Sequence, residues 1–164
     1  MSEPQRLFFA IDLPAEIREQ IIHSRAADNL HLTLAFLGEV SAEKEKALSL
    51  LAGRIRQPGF TLTLDDAGQW LRSRVVWLGM RQPPRGLIQL ANMLRSQAAH
   101  SGCFQSNRPF HPHITLLRDA SEAVTIPPPG FNWSYTVTEF TLYASSFARG
   151  RTRYTPLKRW ALTQ

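Results

Sequence analysis

The chain holds one cysteine, Cys103, so it can form no internal disulfide and no cysteine cage for a metal. That usage suits a reducing, cytoplasmic setting, and Cys103 reads as a small buried residue rather than a nucleophile. Long apolar runs are also missing. The stretch Leu7–Ile11 is stopped by Asp12, far short of a signal peptide or a membrane span, so neither export nor a membrane partner is expected. Lysine is scarce: Lys44, Lys46 and Lys158 are the only three among 19 basic residues, and the other 16 are arginine. None of the three stands in the Lys-x-Asp-Gly setting of an adenylate-transferring ligase. A Gly-rich phosphate loop with its lysine and a Gly-x-Ser-x-Gly nucleophile elbow are both absent.

What remains is an arginine-rich chain with a net charge of +6. Arginine grips phosphate with a planar fork where lysine offers a point charge, so the balance suits an anionic partner such as RNA or a nucleotide. With 164 residues and 43% hydrophobic content, the chain is long enough for one compact domain over residues 1–164.

In order, residues 6–11 read as a buried strand and Pro14 as the first turn of a helix with Ile17, Ile21 and Ile22 on its apolar side. A short polar connection, Ser24 to Asn29, leads to a strand over residues 30–37. There His31, Thr33 and Ala35 are expected on one face and Leu32, Leu34 and Phe36 on the other, with Gly38 as its end. Ser41 caps a second helix carrying Ala47, Leu48, Leu51 and Ile55 inside and Glu43 to Lys46 outside. Residues 60–64 and 74–78 are strands separated by a loop. Pro83-Pro84 opens a third helix with apolar positions Leu87, Ile88, Ala91, Leu94 and Ala98, and Gly102 closes it. Beyond Pro112 comes a strand from His113, then a Pro127–Pro129 linker and three more strand-like runs.

Within this order one phrase occurs twice, as His31-Leu32-Thr33-Leu34 and as His113-Ile114-Thr115-Leu116. Chance alone would supply such a motif on the order of a few hundredths of a time in a chain of this length. The copies lie 82 residues apart, half the chain, which points to two similar lobes, each giving a His-x-Thr strand to a common cleft.

Paired histidines suit in-line displacement at phosphorus, because one neutral ring accepts a proton from the incoming oxygen while a protonated one supplies the leaving oxygen. Thr33 and Thr115, two residues along on the same faces, are spaced to donate hydroxyl hydrogen bonds to non-bridging phosphate oxygens. Arg118, three residues beyond Thr115, reaches phosphate if the strand ends or bulges there; otherwise it is a surface arginine. Two histidines without a nearby Asp, Glu or Cys do not make a zinc site, so no metal and no cofactor is expected.

The segments Arg6–Ile11, His31–Gly38, Val75–Gly79, Pro112–Arg118 and Tyr154–Trp160 together resemble the two-histidine phosphoesterase superfamily. Within it they resemble the bacterial and archaeal RNA 2′,3′-cyclic phosphodiesterases, also called 2′-5′ RNA ligases. The resemblance covers nearly the whole chain. It implies an α+β fold of two antiparallel lobes with helices packed outside, related by a pseudo-twofold axis with the cleft between them. It implies metal-free and ATP-free opening of RNA 2′,3′-cyclic phosphate ends to 2′-phosphates, and reversible ligation giving 2′-5′ linked RNA. On that mapping His31 is the acid toward the departing 3′ oxygen, His113 the base for water, Thr33 and Thr115 the phosphate holders and Arg118 a phosphate ligand. Phe9 either stacks on the terminal base or belongs to the core of the first strand. The chain is expected to act as a monomer. The Ser24–Asn29 connection is shorter than the family's and reads as a lost loop. Two other readings stay open: an RNA-end binding protein without chemistry, and a sister phosphoesterase acting on small cyclic phosphates or 2′-5′ oligonucleotides.

Overall fold

The computed structural model describes residues 4–20, 30–70, 72, 75–106, 110–117 and 131–163. Arg118, the Ser24–Asn29 connection and the Pro127–Pro129 linker lie outside the described residues. The elements run β1 (Gln5–Asp12), α1 (Ala15–Gln20), β2 (His31–Val40), α2 (Ala42–Ala52), β3 (Phe60–Leu64), β4 (Asp66–Trp70) and β5 (Val75–Gly79). They continue with α3 (Arg85–His100), β6 (His113–Leu117), β7 (Trp133–Val137), β8 (Glu139–Ala148) and β9 (Arg151–Ala161). The α+β class read from the sequence is therefore the observed one.

A seven-stranded sheet takes the order β4-β5-β6-β2-β1-β8-β9, and β3 pairs with β7 in a separate two-stranded sheet. Every strand pair in both sheets is antiparallel. Inside the large sheet, β4-β5-β6 and β2-β1-β8-β9 form two halves that meet through one register pair, Leu32 opposite Ile114.

Alternation sorts the residues of β1 onto two faces. Leu7, Phe9 and Ile11 enter one core with Leu32 and Leu34 of β2, Leu142 of β8 and the α3 residues Leu87, Leu90 and Leu94. Phe8, Ala10 and Asp12 point to the other face, where Phe8 opposes Tyr143 and Asp12 opposes His31. The helices thus cover one side of the sheet and leave the other to the cleft. Each helix end follows from local chemistry. The Ser41 hydroxyl accepts a hydrogen bond from the Lys44 amide at 3.2 Å at the start of α2, and Pro84 stands at the N-cap of α3.

Three expectations are corrected. Strand β2 does not end at Gly38 but continues to Val40, because Gly38 adopts φ 73° and lets the chain pass a bulge while still opposing Leu7. A second bulge, between Phe9 and Ala10 on β1, leaves Leu34 as the extra residue of β2 and reverses the alternation beyond it. Ala35 consequently turns into the core at 3% exposure, and Phe36 emerges beside Phe8 at 63% exposure. The loop expected before β5 contains β4, whose Asp-Ala-Gly-Gln-Trp sequence carries little strand propensity of its own. Its Gly68 lies under the Trp77 indole, where a Cβ would meet Cζ2 at 2.5 Å.

Leu90 on α3 has no exposed surface, whereas Leu50 on α2 is 61% exposed. Leu90→Ala is expected to cost about 2–5 kcal/mol in urea unfolding and Leu50→Ala no more than about 0.5 kcal/mol. Equal costs would refute the placement of the core.

Candidate active site

The motif strands are brought together by their middle residues. Leu32 and Ile114, both fully buried, pair across β2 and β6. Each is the residue between the His and the Thr of its motif, so the local twofold axis of an antiparallel pair relates one motif to the other. Extended by one residue each way, that register sets His31 opposite Thr115 and Thr33 opposite His113. All four side chains then rise on the face opposite to Leu32 and Ile114, and the histidines occupy diagonal positions, for which about 7–8 Å is the usual separation.

The surroundings of the two histidines differ. His31 stacks on Phe8 with ring centroids 4.9 Å apart, lies 6.0 Å from the Tyr143 ring and meets Tyr154 edge-on at 5.0 Å. Asp12, opposite His31 on β1, accepts hydrogen bonds from the Tyr143 hydroxyl and from the Thr141 hydroxyl. Its carboxylate gives this side of the cleft the electrostatic complement of an imidazolium. His113 instead meets Trp70 edge-on at 4.9 Å and His111 at 5.8 Å. Its Nδ1 lies 2.8 Å from the His111 carbonyl oxygen. A carbonyl only accepts, so Nδ1 carries the proton and, in the neutral ring, Nε2 carries the lone pair.

Trp77, opposite Thr115 on β5, completes the His113 side by packing edge-on to His111 at 5.7 Å and at 5.4 Å from Trp70. A cleft of about 270 Å³ opens on the other side, beside His31, and reaches Arg18, Tyr154 and Arg159.

Burial raises the Tyr143 hydroxyl above its ordinary value of 10.0, and the hydrogen bond to Asp12 and that residue's charge add to the rise, while Arg159 opposes it. Tyr135 is raised in the same direction by burial and by the Asp12 charge.

Of the residues singled out in the sequence, His31, Thr33, His113 and Thr115 converge on one face of the sheet. Arg118 lies outside the described residues. Phe9 is corrected: at 1% exposure its ring packs on Phe140 and Trp160 in the core, so no base reaches it. The aromatic residue of β1 on the His31 face is its neighbour Phe8. Asp12, Tyr143, Tyr154, Trp70 and Arg159 escaped the sequence reading because each reaches the site from a strand with no motif of its own. Only His111, within the His-Pro-His run, carried a local signal. Among the described residues, no three His, Cys, Asp or Glu side chains gather as a metal-ion set.

Residues 10–146 match the 2′-5′ RNA ligase superfamily. The chain is similar to the RNA 2′,3′-cyclic phosphodiesterase of Escherichia coli (strain K12), at 92% identity over 176 aligned positions that take in 100% of both chains. It is 36% identical over 131 residues to the RNA 2′,3′-cyclic phosphodiesterase of Thermotoga maritima, covering 69% of each. The crystal structure of E. coli LigT complexed with 3′-AMP superposes with a TM-score of 0.92 at 91% identity, covering 99% of this chain and 100% of that one.

Because the tyrosines are held protonated in the folded state beyond the unfolded value of 10.0, their contribution is whole below about pH 10 and is lost as pH rises further. Chemical unfolding between pH 9 and 11 is expected to show falling stability, and Tyr143→Phe to make the fall shallower. An unchanged slope in Tyr143→Phe would contradict the Asp12–Tyr143 assignment.

Proposed function

The chain belongs to the 2′-5′ RNA ligase superfamily, and from that membership we propose that it opens 2′,3′-cyclic phosphate ends of RNA to 2′-phosphomonoesters. The observation that supports the mechanism is the pairing of Leu32 with Ile114, which brings the two His-x-Thr motifs side by side; in this reading one phosphate lies between them. His113, its Nδ1 proton engaged by the His111 carbonyl, takes a proton from water on Nε2 as the water oxygen bonds to phosphorus. The bond from phosphorus to O3′ breaks, its electron pair leaves with O3′, and His31 as imidazolium supplies the proton. Solvent exchange then returns both rings to their starting states.

Support for this direction comes from the asymmetry of the site. The nucleoside bearing O3′ needs room, and the cleft opens on the His31 side, where Asp12 complements a cationic ring. Thr33 and Thr115 hold the non-bridging oxygens, and Arg118 is a third phosphate ligand in this reading. When an RNA 5′-hydroxyl replaces water, the same proton transfers join two ends by a 2′-5′ phosphodiester. The strained cyclic ester provides the driving force without ATP, and the reverse reaction cleaves that linkage. One chain carries both motifs, so a monomer suffices. Among the described residues no helix is long and apolar enough to cross a membrane, and the reading places the enzyme with RNA in the cytoplasm.

Purified protein with chelator present is expected to convert a cyclic-phosphate RNA end to a 2′-phosphate, identified by phosphorus NMR. His31→Ala and His113→Ala should each lower kcat by roughly 10²–10⁴-fold, and Thr33→Val or Thr115→Val by about 10²-fold. Turnover that persists in both histidine variants would sink the proposal.

A further inference from the structure

The cleft beside His31 contains two cations that the chemistry at phosphorus does not use. Arg18 comes from the last turn of α1 and Arg159 from β9, and the two line one space with Tyr143 and Tyr154. The Arg18 Nε is buried and makes no hydrogen bond, an arrangement that costs free energy until an acceptor arrives. Arg159 faces Glu139 at 3.8 Å, a pair in which both side chains are 52% exposed and which therefore binds weakly. Asp12, the acidic residue of the cleft, is engaged by the hydroxyls of Tyr143 and Thr141. Arg18, with its unpartnered Nε, and Arg159, which also hydrogen-bonds the Tyr143 hydroxyl, face one small cleft, and two guanidinium groups so placed describe a site for an oxyanion. At about 270 Å³ the space lies below the range of whole-ligand pockets, about 300–1,000 Å³, and suits part of a nucleotide.

We infer that Arg18 and Arg159 form a second anion subsite that takes the 5′-phosphate of the terminal nucleotide. In an RNA strand this is the phosphodiester joining that nucleotide to the one before it. The inference rests on the reading above, in which His31 faces O3′ and the ribose lies on its side of the cleft. Successive phosphates of a strand flank one ribose, and His31, Tyr143 and Tyr154 line the same cleft as the two arginines. The subsite makes the enzyme select the end of a polynucleotide over a nucleoside cyclic phosphate with no 5′-phosphate.

The test compares adenosine 2′,3′-cyclic phosphate with its 5′-phosphorylated counterpart. The wild type should favour the 5′-phosphorylated substrate by roughly 10–100-fold in kcat/KM, and in the Arg18→Gln, Arg159→Gln double variant the ratio should fall to about one. Arg159→Lys should keep part of it. A wild-type ratio near one, or a ratio kept intact in the double variant while both rates fall together, would overturn the subsite. Calorimetry with adenosine 2′-phosphate and adenosine 2′,5′-bisphosphate measures the same preference without turnover. If neither cyclic substrate reacts, the catalytic reading fails and the binding ratio still decides the subsite. Thermal melts of each variant identify any loss of folding.

Discussion

Everything at the site depends on one strand junction. Leu32 and Ile114 are the residues through which β2 and β6 pair, and both are excluded from solvent. Burial of these two side chains fixes the register, since a slip by one residue would turn the motif histidines into the core and their apolar neighbours into the cleft. Desolvating an imidazole without a partner costs far more than it returns, so the arrangement with leucine and isoleucine inward is the stable one. The hydrophobic residues inside the motifs therefore aim the polar ones.

The junction makes the site symmetric in its reacting groups, and the flanking strands make it asymmetric in everything else. On one side β1, β8 and β9 bring Phe8, Asp12, Tyr143 and Tyr154 around His31. On the other, β4 and β5 bring Trp70 and Trp77, and the turn into β6 lends a carbonyl to His113. Two motifs of one His-x-Thr pattern acquire different surroundings in this way, as the proposed proton donor and proton acceptor require. The glycines of β4 and β5 serve the same end. Gly68 and Gly79 leave space for the Trp77 ring, which backs His111.

Much of this was legible beforehand where a local rule governed. Ser41 capped α2 and the apolar residues of α3 turned inward, because caps and helical periodicity act over a few residues. The strand alternation of β2 held at His31, Leu32, Thr33 and Leu34 and failed at Ala35 and Phe36. A bulge is decided by the partner strand, and the partner's register is not written in β2. Phe9 went to the core and Phe8 to the face that carries His31, where it is buried against that ring; both neighbours are phenylalanine, and only the sheet's covered face tells them apart. Strand β4 stayed hidden because its pairing with β5, rather than its composition, makes it a strand.

By itself, the amino-acid sequence determined the chemistry available to this protein: two His-x-Thr motifs, an arginine-rich surplus of positive charge, one buried thiol and no long apolar run. These are properties of residue type and short spacing, and they hold in any fold that exposes them. The tertiary structure alone decided that the motifs meet, which face of each strand looks into the cleft, and which histidine lies beside Asp12 and the two arginines. Those outcomes arise from pairings between residues dozens of positions apart, set by burial and register across the whole sheet, and no local window of sequence contains them.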